Sequence, residues 1–255
     1  MTVTAARDTA LVFRRYLGIF LGNPAWVVIG AVQPLLYLLL FAPLLKSIAS
    51  TPGFPRGGAY NVFVPGLLIQ LGLFGSTGVG FGLIADLRAG VIERLRVTPV
   101  SRLALLLGRA LRDVLTLLLQ SLILIVVAIP FGLSINGAGL LIMLALVALI
   151  GFTMGSIAYA VALWLGDENS YAPLVFTASL PLLLLSGVLL PLTLAPAWLR
   201  DIAAVNPLSY AVTAARAIFL DHLGDRSVVE GVAIFVVLTA VSMLLAVRRF
   251  SRAIA

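Results

Sequence analysis

The sequence predicts an all-α membrane protein of six transmembrane helices, and three observations carry that prediction. First, 62% of the 255 residues are hydrophobic, only 11% are charged, and the mean hydropathy is +1.15. A soluble domain is about half apolar and about a quarter charged. Second, six apolar runs reach the roughly 20 residues that a helix needs to cross the hydrocarbon core. They cover residues 26–45, 60–85, 103–131, 140–165, 173–192 and 228–247. Third, the runs are continuous, whereas the strands of a membrane barrel alternate apolar and polar residues.

The chain reads as a single domain, 1–255, with three polar or interrupted segments set among the spans. The first is the N-terminal stretch 1–24, where Arg7, Arg14 and Arg15 are interleaved with Leu11, Val12, Phe13, Leu17 and Phe20. Arginines inside the apolar stretch, and no small-residue cleavage site after it, argue against a signal peptide. The pattern suits a helix lying in the membrane interface, its long arginines reaching for lipid phosphates. Pro24 marks a break before the first span.

The second segment is 86–102, with six charged residues among seventeen. Val91, Ile92 and Leu95 recur at helical spacing with Glu93, Arg94 and Arg96 between them, the pattern of a short amphipathic helix. Thr98-Pro99 reads as a cap and first-turn proline starting the next helix. Two readings stand at this point: a solvated connector carrying positive charge, or a helix that docks on something.

The third segment is 195–226, too interrupted for a full span and too apolar for a free loop. Pro196 and Pro207 divide it into short helical pieces. Backbone at membrane depth must be satisfied internally, so two re-entrant helices are expected on the outer side.

Orientation follows from basic residues. Twelve arginines fall in the N-terminal stretch, the 86–102 loop with the start of span three, and the C-terminal tail. The opposite face holds five basic residues: Lys46, Arg56, Arg200, Arg216 and Arg226. The excess places both termini and the 86–102 loop in the cytoplasm. The net charge of +7 is accounted for in the same way, by arginines facing anionic lipid, and no nucleic-acid partner is expected.

The inventory excludes most chemistry. There is no cysteine and a single histidine, His222, so thiolate catalysis, cysteine zinc sites and multi-histidine metal sites are ruled out. A phosphate-binding Walker A loop requires G-x-x-x-x-G-K-[ST]. The one lysine, Lys46, sits in "APLLKSIAS". No catalytic residue, metal ligand or bound cofactor is therefore assigned. Asp113 is the deepest acidic residue, and Arg109, one helical turn before it, is expected to pair with it. Asp167-Glu168 reads as a solvated turn or a partner contact, and His222 as a polar loop residue. Span two is rich in glycine (Gly66, Gly72, Gly75, Gly78, Gly80, Gly82), and span four has Gly151 and Gly155 at GxxxG spacing. Both patterns suit closely packed membrane helices.

One long-range pattern is more specific. Ser179, Leu182, Leu185, Ser186 and Val188 are followed by Ala195-Pro196, Pro207-Leu208, Tyr210 and Arg216. This resembles the signature of ABC type-2 transporter permeases, the "VNPLSY" end with Pro207, Leu208, Tyr210 and Arg216 being its most specific part. The likeness extends over nearly the whole chain. Within the family it is most similar to the small permeases of daunorubicin-resistance-type drug exporters.

That resemblance implies a function. The 86–102 loop would carry the coupling helix, with Val91, Ile92 and Leu95 as apolar anchors in a groove of a separate ATP-binding subunit. Glu93, Arg94 and Arg96 would set register. ATP and Mg would be bound by that partner, present in two copies, and not by this chain, which would itself be no enzyme. A second permease, identical or related, would complete the pathway. Gln70, Phe74, Phe81 and Phe176 would face a lipophilic substrate. The setting would be the cytoplasmic membrane of a bacterium, and the cargo lipophilic drugs or amphipathic lipids moved outward. Export of a lipid-linked glycan or polyketide lipid by the same fold is a second reading. A membrane-embedded enzyme is a third, which would need a polar catalytic cluster within the spans.

Overall fold

A computed structural model describes residues 2–22, 25–48, 58–91, 94, 101–189 and 191–253. Nearly all of them are helical, and no strand occurs among the described residues. The helices are α1 (Thr2–Gly22), α2 (Ala25–Ile48), α3 (Ala59–Arg88), α4 (Arg102–Ala128), α5 (Gly137–Leu165), α6 (Glu168–Leu184), α7 (Ala197–Ala203), α8 (Pro207–Phe219) and α9 (Arg226–Ala253). Short 3-10 turns at Ile129–Phe131 and Leu192–Leu194 join α4 to α5 and precede α7.

Four segments are long and apolar enough to cross a membrane alone: Ala59–Arg88, Leu103–Phe131, Gly137–Leu165 and Arg226–Phe250. They correspond to the second, third, fourth and sixth apolar runs. The count becomes six if each of two bent helix pairs is one span. The fifth run folds differently from its apolar letters. Its helix starts early, at Glu168, and stops at Leu184, although the run continues to residue 192. The Ser186 hydroxyl donates to the Leu183 carbonyl at 2.6 Å, and Gly187 takes a left-handed φ of 76°. Glycine adopts that conformation without the Cβ penalty other residues meet.

The helix most enclosed by its neighbours is α3, which touches α2, α4, α5, α6 and α8. This explains why it lacks a polar face: a helix surrounded on all sides is apolar all round. Its two hydroxyls turn inward on their own helix, Ser76 donating to the Gly72 carbonyl at 2.7 Å and Thr77 to that of Leu73 at 3.3 Å. By contrast α1 is amphipathic. It lies along α4, burying Val12 and Tyr16 and exposing Arg7, Arg14 and Arg15. Gly108 allows this approach, because a Cβ there would stand 2.9 Å from the Phe13 backbone nitrogen.

Helix ends follow local capping chemistry. Ser101 caps α4, its side chain accepting from the Ala104 amide at 3.1 Å. Thr98 and Pro99, the cap read from sequence, lie outside the described residues. Asn136 caps α5, and Gly166 ends it with a left-handed φ of 71°. Asp167 then caps α6 directly. The 195–226 segment contains α7 and α8, bent by 98° at the break between them. Asn206 caps α8 and also donates to the Leu182 carbonyl at 2.7 Å, tying the break to α6.

Candidate functional site

The densest polar chemistry in the described structure lies where the 86–102 loop leaves α3. Arg109 on α4 is buried, and its guanidinium pairs with Asp86 near the end of α3. Asp86 also accepts from the Tyr16 hydroxyl of α1 at 3.3 Å. The Arg109 guanidinium lies 5.3 Å from the Tyr16 ring centre and 5.7 Å from that of Tyr159 on α5. Both distances fall within the range of cation–π attraction. Tyr159, fully buried, donates to Asp113. Asp113 pairs with its chain neighbour Arg112 at 3.0 Å.

Two arginines and two aspartates thus form a knot with no net charge, joining α1, α3, α4 and α5. Neutrality is what makes the burial tolerable: an uncompensated ion in a low-dielectric interior costs several kcal/mol, on the order of 3–5 when its partner is removed. The pairing differs from the sequence expectation, since Arg109 is bonded to Asp86 and not to Asp113. Four members, Asp86, Arg112, Tyr16 and Tyr159, were not picked out from sequence. Asp86 is the first letter of the charged loop, and Tyr16 sits on the apolar face of α1, so each had a signal. Tyr159 is one polar tip within an apolar run and had none.

The arrangement has no obvious catalytic reading. Its carboxylates are engaged by arginine and tyrosine. No group of three or more His, Asp or Glu that could hold a metal occurs among the described residues.

Of the loop residues singled out above, Val91 is helical and partly buried, and Arg94 is helical and exposed. The Arg94 amide donates to the Gly90 carbonyl at 3.2 Å. Ile92, Glu93, Leu95 and Arg96 lie outside the described residues. Arg88, at the root of the loop, stands 3.7 Å from Glu168 of α6. Glu168 and Asp167 form the start of α6. The Ser170 hydrogen bonds hold the Asp167 carboxyl below its ordinary range, as befits a helix cap.

A cleft of about 710 Å³ opens between α2, α3 and α4, within the size range of small-molecule sites. Phe74 and Phe81 line it, with Gly78 between them and Gln120, Arg112 and Asp113 along its wall. The structure therefore brings two of the four cavity candidates together. Gln70 is buried in the core, its side-chain oxygen without a hydrogen-bond partner among the described residues. Phe176 is half exposed on α6 and does not line the cleft.

The signature residues form a clamp. Arg216 of α8 donates through Nε to the Val62 carbonyl at 3.0 Å and through Nη2 to the Gly187 carbonyl at 2.7 Å. One side chain thereby fastens α8 to the start of α3 and to the turn that ends α6. Gly66 permits the close fit, since a Cβ there would stand 2.8 Å from the Val188 carbonyl oxygen. Pro196 precedes α7 as its cap residue, Pro207 opens α8, and Leu208 is buried. Tyr210 donates to the Ala204 carbonyl at 3.0 Å, bracing the 98° bend.

The fold and this clamp define a multi-pass helical membrane protein whose marked polar residues serve to hold helices together. More specifically, the chain belongs to the ABC-2 type transporter family, whose model matches residues 8–220. It is 31% identical over 215 residues to a protein of Porphyra purpurea described as a transport permease, ycf38, covering 82% of this chain and 72% of the relative. It is 26% identical over 223 residues to the daunorubicin resistance ABC transporter permease protein DrrB1 of Streptomyces coeruleorubidus, covering 84% and 75%. The same identity holds over 192 residues to a Mycobacterium tuberculosis protein described as a doxorubicin resistance ABC transporter permease, DrrC, covering 74% and 68%.

Proposed function

We propose that this chain is the membrane-spanning subunit of an ATP-driven exporter that moves lipophilic drugs or amphipathic lipids outward across a bacterial cytoplasmic membrane. Family membership and two drug-resistance relatives support the reading. The structural observation that carries it is the Asp86–Arg109 pair at the root of the 86–102 loop. In this reading the loop docks on a separate ATP-binding subunit through Val91, Ile92 and Leu95, with Glu93, Arg94 and Arg96 setting register. ATP and Mg stay on that partner, in two copies. A pull on the loop enters α3 through Asp86 and is shared with α1, α4 and α5 through Arg109, Tyr16 and Tyr159.

A second permease, identical or related, completes the pathway, and both termini lie in the cytoplasm. Cargo enters the α2–α3–α4 cleft, where Phe74 and Phe81 offer aromatic faces beside small residues that leave room. The wall is apolar around Phe74 and Phe81 and polar at Gln120, Arg112, Asp113 and Glu168, which suits an amphipathic molecule with a lipophilic body.

Co-expression with an ABC ATP-binding subunit encoded beside this chain tests the reading. The complex should survive detergent extraction, and reconstituted vesicles should show ATP-dependent transport of an anthracycline. Leu95→Asp should abolish both assembly and transport. Intact assembly and coupled transport in that variant would remove the docking role from the loop.

A further inference from the structure

The α5 and α9 helices pack side by side and run parallel. Thr153 and Thr239 meet with their hydroxyl oxygens 2.8 Å apart. Trp164 follows Thr153 by eleven residues, and Arg249 follows Thr239 by ten. Between these two levels lies a groove of about 390 Å³. Its walls are Ile157 and Val161 from α5 and Val241 and Leu245 from α9. At 1.5 Å per residue the groove is roughly 16 Å long. That is about half of the ~30 Å hydrocarbon core, so it matches the depth of one leaflet.

The chemistry along the groove is uniform. Its hydroxyls are turned into the helices: Thr153 and Thr239 lie against each other and within bonding reach of the Leu149 and Phe235 carbonyls, at 2.9 Å and 2.6 Å, and Ser242 donates to the Thr239 carbonyl at 3.2 Å. A polar ligand would find nothing to bond along this length, whereas a hydrocarbon chain would lose nothing. Polar atoms free to act occur at one end only. Arg249 is exposed there and makes no ion pair among the described residues, and Trp164 is 68% exposed beside it. A cation and an indole at the mouth of an apolar groove complement an anionic headgroup at the membrane–water boundary. Arg248 and Arg252 add to the positive charge of this end of the chain.

We infer that the α5–α9 groove holds an acyl chain of one anionic phospholipid, its phosphate on Arg249 and its glycerol level set by Trp164. The site lies on a different helix pair from the proposed cargo cleft and depends only on the chain spanning a bilayer. The lipid acts as a splint at the end of the helix pair beyond the Thr153–Thr239 contact.

Titration of the purified full-length protein in detergent tests this. The ligands are phosphatidylglycerol, phosphatidylcholine with the same acyl chains, and glycerol phosphate. Binding is read by native mass spectrometry and by the thermal unfolding midpoint. Phosphatidylglycerol should be retained at one per chain and should raise the midpoint more than phosphatidylcholine, with glycerol phosphate inert. Arg249→Gln should weaken phosphatidylglycerol binding about fivefold, the worth of one basic residue at a lipid surface. Arg248→Gln, outside the groove, should leave the preference intact. Ile157→Trp should displace both lipids by filling the groove. Equal binding of the two phospholipids, an equal effect of glycerol phosphate, or an unchanged preference in Arg249→Gln would overturn the inference. A change of oligomeric state in Ile157→Trp with lipid binding intact would reassign the groove to a protein contact.

Discussion

Arg109 pairs with Asp86, 23 residues earlier at the end of α3, and not with Asp113 one turn further along its own helix. The choice makes the pair a bridge between two helices and ties the exit of the charged loop to the bundle.

Asymmetric burial of this pair makes its two halves unequal. The Arg109 side chain is 5% exposed and that of Asp86 is 26% exposed. Asp86→Asn strands a buried cation and is expected to cost about 3–5 kcal/mol. Arg109→Met strands a carboxylate that water can reach, at roughly 1–3 kcal/mol. The double variant should resemble Arg109→Met alone. Chemical unfolding in micelles measures all three, and equal costs for the single variants would contradict the bridge.

Arg216 holds two carbonyls with one planar fork, which a lysine cannot reproduce. Arg216→Ala leaves the Gly187 carbonyl without its partner and removes a second bond to the Val62 carbonyl inside α3, an expected loss of roughly 1–3 kcal/mol for the stranded group. Arg216→Lys should recover only part of it. The chain has no cysteine, so a single cysteine placed at Leu189 reports without background. Its labelling rate should rise in Arg216→Ala. An unchanged rate would mean the turn is held by other contacts.

Two glycines on α3 should behave oppositely. A Cβ at Gly80 would run into the Tyr171 ring, which is fixed by its hydroxyl bond to the Thr77 carbonyl at 3.0 Å and by edge packing on Phe81. Gly80→Ala is expected to destabilise by about 1–3 kcal/mol, the cost of overpacking. A Cβ at Gly78 meets nothing within 4 Å, and Gly78→Ala should be close to neutral. Thermal midpoints that rank the two the other way would show that the Tyr171 contact yields freely.

The cap at the start of α6 should respond to acid. Hydrogen bonds from Ser170 hold the Asp167 carboxyl below the ordinary aspartate value of about 3.9. Its contribution is therefore complete above that value and is lost as pH falls through the lowered one. Exchange of the Ser170 amide should accelerate only under strongly acidic conditions relative to neighbouring amides. Asp167→Asn keeps an acceptor and should abolish that dependence. A transition near neutral pH would point to another group.

Much of this architecture could be read from periodicity and apolar length. The amphipathic letters of 5–21 become α1, and four of the six apolar runs become helices long enough to span. Partnership across helices could not be read, because a spacing of four residues advertises Asp113 while the distance from Asp86 in sequence hides the contact. The end of α6 was hidden for a different reason. Apolar letters continue past Leu184, and what stops the helix is a left-handed glycine whose carbonyl is taken by Arg216. At the signature, sequence marked the residues but not their work, which is to brace a 98° bend against α3 and α6.

The brevity of α6 reaches beyond the protein. Seventeen residues rise about 25 Å, some 5 Å less than a typical hydrocarbon slab. Where a helix this short borders lipid, the mismatch is met by a thinner bilayer, by flanking side chains reaching out, or by packing on a neighbour.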